Sequence, residues 1–324
     1  MIKMGIMGAG SIAGQMAATI NQMDSQMEVY AIAARDLDRA KDFGKKYGCK
    51  KAYGSYEEML QEEDIDLVYV ALPHSHHYKY AKMSLEAGKN VLCEKAFTVN
   101  AEQAREIIEL AEKKGLFLTE GLWSRYMPSR KIMKDIIESG VIGEAVSMTG
   151  NLGYNLSQVK RLWDPNLAGG ALLDLGVYLI NFARMMFGEN MTFLSSSAVL
   201  KDGVDVTDSF TMVFDGTKTA TMQCSAYGAQ NRAVSVSGTK GYMEVVNVSN
   251  PQSIKVYDKN YIEIADYPIP EQISGYEYEI EACIKAMEEH ALECPQMPHA
   301  ETIRIMEIMD EMRQAWGYEI PLLA

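Results

Sequence analysis

Lys95 stands where an apolar run, "VLCEKAFT" (91–98), gives way to two charges. Val91, Leu92, Cys93 and Phe97 read as buried, so Glu94 and Lys95 mark a strand end. A lysine there is either a solvated strand end or an amine held in a crevice for proton transfer. A second set lies in "LLDLGVYLIN": Asp174 and Tyr178 are spaced i, i+4 and share one helix face, and Asn181 continues that ridge. The other positions (Leu172, Leu173, Leu175, Val177, Leu179, Ile180, Phe182) are apolar. Buried unpaired polar groups cost about 1–3 kcal/mol each, so this ridge must face backbone or a ligand that satisfies it.

The third set opens the chain. "GIMGAGSIAGQMAATI" puts Gly8, Gly10 and Ala13 at G-x-G-x-x-A spacing, directly after one apolar strand and at the mouth of a helix. Gly8 permits the tight turn, Gly10 lets a pyrophosphate approach the backbone, and the small Ala13 lets helix and strand pack closely. The N–H groups around Ser11 and Ile12, at the positive end of the helix, would receive the anion. The spacing predicts dinucleotide binding. The next strand ends in "AARDLDRAK", with Arg35 and Arg39 where an acidic residue would read a ribose 2′-hydroxyl. Guanidinium groups pair bidentately with phosphate, so Arg35 and Arg39 point to NADP, with NAD the alternative. Asp36 either serves the ribose or caps the following helix.

After the strand "IDLVYVAL" come Leu72, Pro73 and "HSHHYKYA", with three of the five histidines: His74, His76 and His77. No carboxylate or cysteine with ligand spacing accompanies them, so no metal is expected. His74 and His77, with Leu72 and Pro73, are read as cofactor or substrate contacts, and His76 as solvated.

The elements that must position these groups fall into two textures. Near-continuous apolar runs at 2–7, 27–34, 65–72, 90–93 and 116–119 alternate with amphipathic segments at 12–22, 37–47, 56–62, 77–87 and 101–114. That predicts an α/β, doubly wound parallel sheet covered on both faces. A helix near 129–139 and a long apolar helix from Gly169 follow. Alternating runs between 192 and 266 then predict a mostly antiparallel sheet with one buried face, and helices near 276–291 and 300–316 close the chain. The expected boundary separates 1–121, a nucleotide-binding domain, from 122–324, an α+β domain for substrate binding and oligomerisation.

The 324 residues suffice for two domains, and 48% hydrophobic with 23% charged residues is a globular composition. No run of about 18 or more apolar residues is apparent, nor an export signal. Five scattered cysteines (Cys49, Cys93, Cys224, Cys283, Cys294) favour reduced thiols and a cytoplasmic setting. A net charge of −13 argues against nucleic acid or an anionic membrane as partner.

The glycine motif, "LPHSHH", "EKA" and "GGALLDLGVY" together resemble the Gfo/Idh/MocA oxidoreductases, in order and over essentially the full length. "AARDLDRAK", "EGLWSRYMP" and the Asp-x-x-x-Tyr helix are most similar to the branch of dimeric dihydrodiol and D-xylose dehydrogenases. The resemblance implies an N-terminal Rossmann domain. It also implies that Glu94 and Lys95 stand beside the nicotinamide, with Lys95 near the substrate hydroxyl and Tyr178 or Lys95 as the acid/base. Asp174 would bind a substrate hydroxyl or the lysine, and Trp123 and Arg125 the substrate. Tyr154, Arg161, Trp163 and Asp164 are weaker substrate-side candidates. The substrate implied is a sugar or related cyclic alcohol, and the assembly a homodimer or homotetramer. Where the family reads Glu-Lys-Pro this chain has Ala96; proline fixes backbone direction, so Lys95 is expected to be held less rigidly unless other contacts replace it.

Overall fold

The first strand, β1 (Ile2–Met7), is followed at once by helix α1 (Ser11–Ile20). Strand–helix alternation then continues through β2 (Met27–Ala33), α2 (Leu37–Tyr47), β3 (Lys51–Tyr53), α3 (Tyr56–Leu60), β4 (Leu67–Val70), α4 (His74–Glu86), β5 (Asn90–Glu94), α5 (Ala101–Lys114) and β6 (Leu118–Gly121). The structure is a computed structural model that describes residues 1–24 and 26–321.

The first six strands form one parallel sheet in the order β3-β2-β1-β4-β5-β6. The strand order reverses between β1 and β4, and ligands of such sheets bind at that switch point, outside the carboxyl ends of the strands. Met4, Ile6, Met7, Ile32, Val68 and Val91 have no exposed surface, as strands covered on both faces require. Helix starts follow local chemistry. Asp36, Ser55 and Asn100 cap α2, α3 and α5 through side-chain oxygens, and left-handed Gly48 and Gly115 end α2 and α5. Helix α4 begins at His74, three residues before the predicted start, so the three histidines lie in its first turn rather than in a loop.

The second texture begins with α6 (Pro128–Glu138) and β7 (Ala145–Gly153). Single helical turns at Lys160–Trp163 and Pro165–Leu167 lead to a π-helical turn, Leu172–Gly176, and then α7 (Val177–Phe187). The remaining strands are β8 (Met191–Lys201), β9 (Val204–Phe214), β10 (Lys218–Ser225), β11 (Ala233–Gly238), β12 (Gly241–Val246), β13 (Ser253–Asp258) and β14 (Glu263–Tyr267). They form an eight-stranded sheet, β14-β13-β12-β11-β7-β10-β9-β8, in which only β7 and β10 pair in parallel. Burial alternates along β9, where Phe210, Met212 and Phe214 are inside. Each such side chain contributes roughly 1.5–3 kcal/mol on burial.

Two helices follow, α8 (Glu277–Glu288) and α9 (His299–Trp316). The chain divides differently from the expected 121/122 boundary. Residues 1–126 and 272–306 form one unit, and residues 127–271 with those from 307 onward form the other. Residues 272–306 return to the parallel-sheet unit because His299 and Thr302 find partners there, the Leu118 carbonyl and the Glu120 carboxylate. One segment passes a membrane-length test without being a span. Residues 165–187 are long and apolar enough by length and composition alone, but they are a core helix buried almost throughout within the second unit.

Candidate active site

The glycine loop is shaped by sterics. Gly8 has φ of +104°, and a Cβ there would stand 2.6 Å from the Ala71 carbonyl oxygen, so only glycine fits. Gly10 is different: a Cβ there would meet nothing within 4 Å, which leaves open space over the backbone. No side chain caps the N-terminus of α1, Ser11 faces solvent, and Ala13 is fully buried against the sheet. A cavity of about 310 Å³ joins Gly8 and Gly10 to Arg35, Arg39, Leu72 and Pro73. Bare helix N–H groups, a cradle without side chains and two exposed arginines fit a dinucleotide with an anionic tail.

Asp36 lines the same cavity and also serves its own helix. Its Oδ1 accepts the N–H groups of Asp38 (2.9 Å) and Arg39 (3.3 Å), capping α2. Arg39 in turn donates from Nη2 to the Ala9 carbonyl at 3.2 Å, which brings its guanidinium to the glycine loop. Tyr56, which the sequence did not single out, lines the same cavity. Its ring meets Tyr80 edge-on at 4.7 Å. His76, expected to be solvated, is half-buried and stacks on Tyr80 with an interplanar angle of 8°. Burial, and then the charge of Arg35, hold its pKa below the usual value.

At the carboxyl end of β5, Lys95 is half-buried and its N–H donates to the Glu94 Oε2 at 3.2 Å. Glu94 itself is buried, and its Oε1 accepts from the Tyr69 hydroxyl at 2.5 Å. The Lys95–Ala96 peptide is cis. The turn after the lysine is anchored on two sides. His77 Nδ1 lies 2.8 Å from the Ala96 carbonyl, and its Nε2 lies 2.7 Å from the Leu72 carbonyl. A neutral imidazole donates to one of these oxygens and a protonated one to both. From the other side the Phe97 N–H donates to Glu120 Oε1 at 3.2 Å, and Thr302 donates to Glu120 Oε2 at 3.1 Å. Burial pushes the Glu120 carboxyl up to about 7. These contacts supply what the family proline would have supplied at Ala96.

His77 therefore acts from behind the crevice. It has no exposed surface, and any influence on a ligand passes through the backbone it ties together. His74, also buried, meets His77 edge-on at 5.7 Å between ring centres. Deeper still, Glu279 is fully buried with neither carboxylate oxygen hydrogen-bonded among the described residues. Burial and the nearby Glu94 raise its pKa far above the carboxylate range, so it is a neutral acid.

Among the substrate-side candidates in this unit, Trp123 stacks on Tyr276 at 4.5 Å with an angle of 14°, so one indole face is taken. Arg125 is corrected. Its Nε donates to the Gln296 carbonyl at 2.7 Å and its Nη1 to Glu301 at 3.0 Å, in a largely buried pair. Those donors hold the returning segment to the single helical turn Trp123–Arg125.

In the second unit Asp174 lies in the π-turn and Tyr178 in the first turn of α7, both less than a tenth exposed. Arg161 Nη2 donates to Asp174 Oδ1 at 3.1 Å, joining two candidates from separate segments. Asn181 does not extend the ridge outward: its Nδ2 donates to the Val177 carbonyl at 3.0 Å within its own helix. The Tyr154 hydroxyl accepts from Arg232 at 3.3 Å, a partner 78 residues away that no local pattern announces. The Trp163 indole N–H donates to the Leu156 carbonyl at 3.1 Å, and Asp164 caps the turn Pro165–Leu167, so both have packing roles. No group of three or more His, Cys, Asp or Glu among the described residues is arranged to hold a metal ion.

A doubly wound sheet with a bare glycine cradle at its switch point defines a dinucleotide-binding oxidoreductase, and the comparisons agree. Residues 2–122 match the oxidoreductase family with NAD-binding Rossmann fold, and residues 131–244 match the GFO/IDH/MocA C-terminal domain. The chain belongs to the Gfo/Idh/MocA family of NAD(P)-binding oxidoreductases, dehydrogenases acting on CH–OH groups. It is 34% identical over 331 residues to trans-1,2-dihydrobenzene-1,2-diol dehydrogenase of Mus musculus, covering 99% of this chain and 98% of that protein. The Homo sapiens protein of the same name is 32% identical at the same coverage. A crystal structure of a 3-ketoreductase from Actinomadura kijaniata, in complex with NADP and TDP-benzene, superposes with a TM-score of 0.90 at 25% identity. That match covers 97% of this chain and 98% of the other.

Proposed function

We propose that this protein is an NADP-dependent dehydrogenase of a sugar or related cyclic alcohol, either an aldose or a trans-dihydrodiol. The observation that carries the cofactor preference is the pair Arg35 and Arg39 at the glycine-loop cavity, with Asp36 taken up in capping α2. Two cationic forks suit a 2′-phosphate, while Asp36 Oδ1 is engaged by the N–H groups of α2. The relatives named dihydrodiol dehydrogenase, and the ketoreductase bound to NADP, support the substrate class and the cofactor.

When bound, the nicotinamide supplies the hydride acceptor or donor. Lys95, Tyr178 and Asp174 are proposed as the residues that handle the proton and orient the hydroxyl. A phenol with a reference pKa of about 10 is a poor base near neutrality, and a neighbouring ammonium favours its phenolate. Tyr178 then takes the hydroxyl proton, or Lys95 does with Tyr178 orienting. Asp174, held by Arg161, is proposed to orient a substrate hydroxyl, with Trp123 and Tyr154 as further substrate contacts. The exposed apolar side chains on β8, Phe193, Val199 and Leu200, support a homodimer or homotetramer formed through the open sheet. Five cysteines without disulfides are compatible with a cytoplasmic setting.

The test is absorbance at the reduced-nicotinamide band with NADP⁺ and NAD⁺ over aldoses, inositols and a trans-dihydrodiol, on wild type and Tyr178→Phe. Turnover with NADP⁺ that the variant loses is the expected result. A preference for NAD⁺ on inositols would replace this reading with an NAD-dependent polyol dehydrogenase. Tight NADPH binding without any turnover would replace it with a cofactor-binding sensor.

A further inference from the structure

The segment that carries Asp174 and Tyr178 begins against a buried acid. Asp205, at the start of β9, is 2% exposed, and its Oδ2 accepts the Leu172 N–H at 2.6 Å. Burial raises the Asp205 carboxyl above its ordinary value, and the N–H of Leu172, a hydrogen bond from Asp208 and the N–H of Ala171 work against that rise and favour its charged form. The approach is so close that Gly170, at φ +113°, could not carry a side chain: a Cβ there would lie 2.1 Å from Asp205 Oδ1. Asp205 is therefore the acceptor for the first buried N–H groups of the turn Leu172–Gly176, where the positive end of a helix favours an anion.

Asp205 has a second acid beside it, Asp208, three residues on and without exposed surface. Asp208 Oδ2 accepts from the Cys224 thiol at 3.2 Å, while Oδ1 finds no donor among the described residues. Two carboxylates so placed cannot both ionise in a dry interior. A proton on Asp208 turns that idle oxygen into a donor to Asp205, and burial together with the Asp205 charge raises the Asp208 pKa far above its ordinary value. The other titratable groups facing the pair, the Cys224 thiol and the Tyr318 phenol, are both raised by burial and by these aspartates, and stay neutral. Arg313 acts on Tyr318 and lowers its pKa against these effects.

We propose that Asp205 is a positioning residue for catalysis: as an ionised carboxylate it caps the turn Leu172–Gly176 and so sets where Asp174 and Tyr178 stand, with Asp208 as its protonated partner. The proposal rests on the reading that Asp174 and Tyr178 act on the substrate, but its structural half is tested without turnover. Asp205→Asn removes the charge at constant shape. Asp208→Asn replaces an acid by its neutral likeness.

The experiment is hydrogen–deuterium exchange over residues 169–182 of the full chain, with steady-state kinetics and NADPH binding by fluorescence alongside. Asp205→Asn is expected to speed exchange at 171–176 at least tenfold and lower kcat at least tenfold, with the NADPH Kd within twofold of wild type. Asp208→Asn is expected to stay within threefold of wild type in all three. Unchanged exchange and kcat in Asp205→Asn, or equal losses in Asp208→Asn, would overturn the proposal. Should Asp205→Asn not fold, Asp205→Ser, which is smaller, neutral and adds no atom beside Gly170, is expected to show the same local rise in exchange, and wild-type exchange there would overturn the proposal. A wild type that turns over no alcohol defeats the catalytic reading alone, and the exchange comparison still decides the capping role.

Discussion

Glu120 accepts the N–H of Phe97, two residues beyond Lys95, at 3.2 Å from a site with only 2% exposure. A carboxyl in the core thereby holds the turn that presents the lysine. Burial raises its pKa from 4.5 to about 7. Below about pH 4.5 Glu120 is protonated whether folded or not. Above that the unfolded chain releases the proton while the folded chain keeps it until about pH 7. Stability from this group is therefore complete below about 4.5 and is lost across the window, at about 1.4 kcal/mol per pH unit. Urea unfolding of wild type and Glu120→Gln at pH 5 and pH 8 is expected to show the variant gaining on the wild type at the higher pH. A constant difference would show that Glu120 ionises as freely folded as unfolded.

The two loop glycines have different jobs. Gly8→Ala is expected to destabilise the first unit by about 1–3 kcal/mol, because a left-handed backbone and a carbonyl at 2.6 Å both oppose the methyl. Gly10→Ala meets no protein atom, so the melting temperature is expected to stay near wild type while NADPH affinity falls. Thermal unfolding and fluorescence titration on both variants separate the effects. Equal melting losses would refute the division.

Arg35 and Arg39 divide between recognition and loop contact. On the proposed NADP reading, Arg35→Ser removes charge-assisted bonds worth about 1.5–3 kcal/mol to a 2′-phosphate. The expected result is a roughly 10- to 100-fold weaker NADP⁺ with NAD⁺ nearly unchanged. Calorimetric titration with both nucleotides measures it, and parallel losses would remove the phosphate reading.

Arg125→Met is expected to behave as a stability variant. It breaks a largely buried pair with Glu301, for which removal of one partner costs about 3–5 kcal/mol. Substrate KM is expected to remain at the wild-type value in whatever folds at low temperature. A rise in KM with unchanged melting would return Arg125 to the substrate pocket.

Much of the first unit was legible because its signals are local. Near-continuous apolar strands, the spacing of Gly8, Gly10 and Ala13, and the capping potential of Asp36 follow from periodicity and backbone sterics within a few residues. The start of α4 was misplaced because His74 and Ser75 are poor helix markers, and Pro73 at the N-cap position provides the stop. Strand β7 has no counterpart in the sequence reading, because Gly150 and Gly153 weaken its pattern; a Cβ at Gly150 would come 2.4 Å from Val234, and the strand sits beside both β11 and β10.

From the chain alone came the class of fold, the dinucleotide cradle, the arginines beside it and the polar residues on the long apolar helix. Tertiary structure decided the partners: Arg125 with Glu301 across 176 positions, Leu172 with Asp205 across 33, and His77 between the carbonyls of Leu72 and Ala96. It also decided that residues 272–306 return to the first unit. A residue's type and spacing dictate what it can bind. Which of many equivalent acceptors it does bind depends on which segments share a buried core, and that follows from the packing of the whole chain.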